Sequence, residues 1–153
     1  MKNRPYIGII GASEISADIE RLAWEVGYEI GKRDGILVCG GLGGVMEAAC
    51  RGAKQAGGTT IGILPGFDRN EANPNIDFAI PTGLHEARNL LIIRTSDVLI
   101  AIAGGLGTLS EIAFALKSEK SVIGLETWNL DLPLIQVKTA QEAVEKAWEM
   151  LSK

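Results

Sequence analysis

Asp97-Val-Leu-Ile-Ala-Ile-Ala-Gly-Gly-Leu-Gly-Thr-Leu-Ser-Glu-Ile-Ala-Phe-Ala-Leu116 is the stretch that decides the fold. Val98 to Ala103 is an unbroken apolar run with the length of a strand buried on both faces. Gly104, Gly105 and Gly107 follow at once, then Thr108 and a segment of helical composition. A buried strand, a glycine turn and a helix N-terminus bring unpaired backbone N–H groups and the positive end of a helix dipole to one point. That point suits an anion, most often a phosphate. Glu111 lies one turn into the helix, where a carboxylate must either repel an anion or act on it.

The same alternation runs outward through the chain. Tyr6 to Gly11 reads as a first strand ending in Gly11-Ala-Ser13. Ser16 is placed to cap a helix whose apolar face is Ile19, Leu22, Ala23, Val26 and Ile30, with Gly35 as its expected stop. Ile36 to Cys39 is a second strand, entering Gly40-Gly-Leu-Gly-Gly44 and a helix to about Gln55, closed by Gly57-Gly58. Thr59 to Leu64 is a third strand and Phe78 to Ile80 a fourth, with a polar stretch from Phe67 to Asp77 between them that has the length of a lid. Leu84 to Thr95 is read as one helix preceding the central strand. Ser121 to Leu125 is a further strand, Thr127 to Val137 a connection with room for one short edge strand, and Thr139 to Leu151 the closing helix. Apolar strands alternating with helices predict an α/β chain: a Rossmann-like, doubly wound parallel sheet of six or seven strands, covered by helices on both faces. In such sheets ligands bind at the carboxyl ends of strands, where the strand order reverses.

With 153 residues the chain is expected to be a single domain, residues 1–153. The net charge of −4 argues against a nucleic-acid or polybasic membrane surface, so a phosphate must be held locally by backbone and one or two arginines. Cys39 and Cys50 have no metal-ligand spacing and read as reduced, buried thiols of a cytoplasmic protein. No apolar run reaches a membrane span of about 20 residues, and the acidic Glu14 and Asp18 disfavour a signal peptide. No metal and no cofactor is required. Strand one lacks the G-x-G-x-x-G fingerprint and strand two ends in Cys39-Gly40 instead of an acid, which disfavours NAD; no Walker lysine is present.

Three glycine turns fall on one sheet edge: Gly11-Ala-Ser13, Gly40 to Gly44 and Gly104 to Gly107. They offer Gly11, Ser13, Gly41, Gly43, Gly44, Gly104, Gly105, Gly107 and Thr108 as ligand contacts, with Met46 and Asn89 beside them. Glu111 has two readings. Thr108-x-x-Glu111 is the spacing of a capping box, and Thr139-x-x-Glu142 repeats it with no glycine turn in sight. Against that stands its place beside the best anion site in the chain. Arg88 can offer paired N–H donors to a phosphate or ribose, or lie solvated on the surface. His85, the only histidine, precedes Arg88 by three residues and shares its face, and no metal cluster is read from it and the two cysteines.

Ala103-Gly-Gly-Leu-Gly-Thr-Leu-Ser-Glu111 resembles the Pro-Gly-Gly-x-Gly-Thr-x-x-Glu signature of the cytokinin-activating "lonely guy" phosphoribohydrolases, a family that also carries a lysine-decarboxylase label. Arg88-Asn89 stands where that family has Arg-Lys, and Gly40 to Met46 with Ala56 to Pro65 is similar as well. The resemblance covers roughly residues 6 to 126. It implies a homodimer that hydrolyses the N-glycosidic bond of a nucleoside 5′-monophosphate. Arg88 and Glu111 would be catalytic, and Thr108 and the glycines would hold phosphate. Ala103 in place of proline and Asn89 in place of lysine point to a side branch similar to molybdenum-cofactor carriers, for which binding without turnover is the alternative. Leu90-Leu-Ile-Ile93 and Ile112-Ala-Phe-Ala-Leu116 are apolar nearly all round, so these two helices are expected to pair with a second copy, Ile92 and Phe114 facing the partner. The alternative cover is the closing helix.

Overall fold

A computed structural model describes residues 3–153. Its strands are β1 (Tyr6–Gly11), β2 (Ile36–Cys39), β3 (Thr59–Leu64), β4 (Phe78–Pro81), β5 (Val98–Ile102), β6 (Val122–Leu125) and β7 (Ile135–Val137). Its α-helices are α1 (Ala17–Lys32), α2 (Val45–Gln55), α3 (Asn89–Thr95), α4 (Leu106–Lys117) and α5 (Ala140–Leu151). The strands form one sheet in the order β4-β3-β2-β1-β5-β6-β7, every neighbouring pair parallel. The chain therefore builds outward from β1 in one direction, returns, and builds outward from β5 in the other. The order reverses between β1 and β5, where Gly11 is in register with Ile102.

β5 is buried along its whole length because both sheet faces are covered. Val98, Ile100 and Ile102 pack into the core under α1, α2 and α5, whereas Leu99 and Ala101 face α3 and α4. That alternation is why the strand reads as a continuous apolar run. On the first face, α1 and α2 touch backbone to backbone. A Cβ at Gly27 would lie 1.8 Å from the Ala49 carbonyl oxygen, and one at Gly52 would lie 2.0 Å from that of Trp24. Glycine is required at both positions by the approach of the two helices. Ser16 caps α1 by accepting from the Ile19 N–H at 3.3 Å.

Three local expectations change. α1 does not stop on Gly35: Asp34 takes the left-handed conformation at φ 59°, and Gly35 lets Trp148 approach, since a Cβ there would meet its ring at 2.7 Å. The helix expected over 84–95 is two pieces, a 3₁₀ turn His85–Arg88 and then α3. Positive φ at Gly83 and His85 breaks the helical run before it starts. Ile92 does not face outward; it is 2% exposed in the core with Ile93 and Ile112. The outward apolar residues of this face are Leu91 and Phe114. α5 packs on the opposite face, against α1, and so does not cover them. Among the described residues no helix is long and apolar enough to cross a membrane.

Candidate functional site

The reversal of strand order opens a cavity of about 480 Å³ over the carboxyl ends of β1 and β5. Gly11 closes its floor: a Cβ there would sit 2.5 Å from the Ile102 carbonyl oxygen. Of the residues proposed as ligand contacts, Gly11, Ser13, Met46, Asn89, Gly105, Gly107 and Thr108 line the cavity, together with Arg88 and Glu111. Gly41, Gly43, Gly44 and Gly104 do not. Gly44, at φ 67°, seats the start of α2 under the first turn, so that the Val45 N–H donates to the Ala12 carbonyl at 3.0 Å. Gly41 packs against Gly62 and Leu64, and Gly104 against the Thr108 side chain. These glycines shape the turns from behind.

The wall also holds Gly40 and Leu42, inside the second glycine turn but not among its proposed contacts, and Glu14 and Glu86, which no motif singles out. Glu14 directly follows Ser13, and Glu86 stands two residues before Arg88; proximity to motif residues was the only available signal. The Phe67–Asp77 stretch is not part of the wall and is no lid over it. It folds around a 3₁₀ turn, and Asn73 donates from its backbone N–H to the Gly41 carbonyl and from its side chain to the Leu42 carbonyl, both at 2.9 Å. The loop braces the second glycine turn. His85 stays outside the cavity, with Phe67 edge-on to its ring at 6.3 Å.

The third glycine turn differs from the capping-box expectation. α4 starts at Leu106 with Gly105 as its N-cap, and no side chain caps it. Thr108 is therefore already inside the first turn and Glu111 well beyond it. The backbone N–H groups of the first turn have no intrahelical acceptor, and Gly105, Gly107 and Thr108 present that end to the cavity. An anion is the fitting occupant. Glu111 is left with no capping role, facing the same cavity.

Arg88 is less available than its charge suggests. Its Nε donates to the Ile63 carbonyl at 2.9 Å and its Nη2 to the Gly40 carbonyl at 3.4 Å, so the guanidinium straps the ends of β3 and β2 together. Its Nη1 donates to the Asn89 side-chain oxygen. Burial works against the Arg88 charge, while Glu111, Cys39 and Glu86 favour it. Burial likewise drives the Glu111 carboxyl up to about 7, with the attraction of Arg88 opposing the shift. No ion pair within 4.0 Å joins the two among the described residues. Near neutrality Glu111 can thus hold or release a proton beside a bound anion. Behind the wall, the thiols of Cys39 and Cys50 are buried with their sulfurs 3.6 Å apart.

The SLOG cluster4 family matches residues 4–151. The molybdenum cofactor binding protein from Rippkaea orientalis superposes with a TM-score of 0.93 at 35% identity, covering 99% of both chains. The molybdenum cofactor carrier protein from Chlamydomonas reinhardtii gives 0.92 at 36% identity over 99% of this chain and 100% of that one. A cytokinin riboside 5′-monophosphate phosphoribohydrolase of Mycobacterium tuberculosis is 33% identical over 76% of this chain and 67% of its own length.

Proposed function

Because the chain belongs to the SLOG cluster4 family, we propose that it binds a small phosphorylated ligand, a nucleotide or the molybdenum cofactor, and holds it without turnover. The observation that carries this reading is the uncapped N-terminus of α4, opening onto the β1–β5 cavity with its N–H groups unpaired. Two features favour holding over hydrolysis. Ala103 has φ 50°, a backbone conformation closed to the proline of the hydrolase signature. Arg88 spends its donors on Ile63, Gly40 and Asn89, which leaves few for a ribose. The residues fit such a cargo: backbone donors take the phosphate, and Met46 and Leu42 give the cavity an apolar flank for a planar ring.

Hydrolysis of a nucleoside 5′-monophosphate is the second reading, and Glu111 is the observation that favours it. A carboxyl with a pKa of about 7 can stabilise positive charge on the sugar as an anion, or take a proton from the attacking water. In both readings the functional unit is a homodimer, formed over the face where Leu91 and Phe114 stand exposed. Native mass spectrometry of freshly purified protein tests both parts. The expected spectrum is a dimer carrying a retained phosphorylated small molecule. A ligand-free monomer, with base released from a panel of nucleoside 5′-monophosphates, would overturn the carrier reading and the dimer together.

A further inference from the structure

The segment between β6 and β7 looks like a mere connection, yet it is tied to the glycine turn that forms the anion site. The Thr127 hydroxyl donates to the Ala103 carbonyl at 2.7 Å. The Trp128 indole Nε1–H donates to the Gly105 carbonyl at 3.0 Å. Gln136, on β7, donates in turn to the Trp128 carbonyl at 2.9 Å. Two bonds in series thus link the edge strand to the turn through Trp128, and the Thr127 bond runs beside them. We propose that Thr127 and Trp128 are positioning residues that hold the Gly104–Gly107 turn in its anion-accepting conformation; this rests on the phosphate-binding reading above.

The reasoning is geometric. In a trans peptide the C=O and the following N–H point opposite ways. A donor that fixes the Ala103 carbonyl therefore fixes the Gly104 N–H, and one that fixes the Gly105 carbonyl fixes the Leu106 N–H. Both N–H groups are therefore turned away from the strap. Gly104 and Leu106 do not themselves line the cavity, but Gly105, Gly107 and Thr108 of the same turn do, and the strap holds these in place through the backbone on either side of Gly105. The turn needs such restraint. Ala103 sits at φ 50°, a region L-residues other than asparagine and aspartate rarely occupy, and Gly104 sits at φ 104°. Gly105 and Gly107 have open space around them, with no side-chain packing to hold them in place. The strap replaces that packing with two directional bonds.

Thr127→Val and Trp128→Phe each remove one donor and keep most of the side-chain volume, while Thr127→Ser keeps the hydroxyl. Amide hydrogen exchange in the ligand-free protein reads the turn directly. Ala103 N–H is bonded to the Leu125 carbonyl and Leu109 N–H to that of Gly105, so both report on its opening. Their exchange is expected to rise roughly tenfold in Thr127→Val and Trp128→Phe, with β1 and β2 unchanged and Thr127→Ser like the parent. In an NMR titration with inorganic phosphate, affinity is expected to fall roughly five- to tenfold in the same two variants. Unchanged exchange, or faster exchange with undiminished phosphate affinity, overturns the positioning role. A parent protein that binds no phosphate overturns the anion site itself, and is told apart from the former outcome because the variants are not needed to see it.

Discussion

α4 and α5 carry the same four-residue pattern at their starts, Thr108-x-x-Glu111 and Thr139-x-x-Glu142, and use it differently. In α5 the threonine is the N-cap: its hydroxyl accepts from the Glu142 N–H at 3.1 Å, and the chain before it is extended. In α4 the helix has begun at Leu106, so the same pair lies inside it with no capping bond. The difference comes from what precedes each. Gly104 and Gly105 let the backbone turn straight out of β5 into helix, whereas α5 follows an edge strand and an extended lead-in. A closed helix end is a stabilising device. An open one at a strand-order reversal is a receptor for charge.

Closing the open end should have the largest effect. Gly105→Asp puts a carboxylate at the α4 N-cap, where φ is −104° and a Cβ meets nothing within 4 Å. Phosphate binding should fall by about 100-fold as the side chain takes up the free donors and repels the anion, while the melting temperature holds or rises. A titration with retained phosphate affinity would break the comparison. Glu111→Gln comes next. The folded carboxyl titrates at about 7 against an ordinary 4.5, so the folded chain holds a proton the unfolded chain has released between those values. Parent stability should therefore fall as pH rises through that window and level off above it. The variant should show no such fall and should exceed the parent by about 3 kcal/mol near pH 8, read from thermal unfolding across the range. A parent curve that is flat, or that rises, contradicts the burial of this carboxyl. The smallest effect belongs to the closed end: Thr139→Ala should cost about 1 kcal/mol of stability and leave phosphate binding untouched.

The comparison also marks where the sequence is legible. The strands of the core announce themselves, because a strand covered on both faces must be apolar at every position, as β5 is. The three glycine turns are equally plain, and their convergence on one edge follows from parallel strands. The capping pattern conceals the start of α4, because a local signal cannot report that the helix begins three residues earlier, at Leu106. Arg88 shows the opposite difficulty. Its residue type predicts ligand contact, but its acceptors, Gly40 and Ile63, lie 48 and 25 residues away, and nothing local marks a carbonyl as needing a donor. The strap of Thr127 and Trp128 escaped for a related reason, since irregular chain has no period to read. Ile92 was assigned outward because four apolar residues in a row conceal which of them points to the sheet.

The reversal of strand order between β1 and β5 has a consequence for the order of events in folding. β1 to β4 pair with neighbours along the chain, and so do β5 to β7. Within the sheet the two groups join only through β1 and β5, beside which the Tyr6 N–H donates to the Asp97 carboxylate, 91 residues away. Closing so long a loop costs entropy that the local strand pairs do not, so this contact is expected to form late. The cavity consists of that seam, so it does not exist in either half alone and is completed only when β1 meets β5. A ligand seated there would lie between Gly11 and Ser13 on one side and Gly105, Gly107, Thr108 and Glu111 on the other, a clasp across the junction. On the proposed binding function, such a ligand would slow unfolding more than it hastens folding, and the half-life of the loaded protein would measure how long the ligand stays.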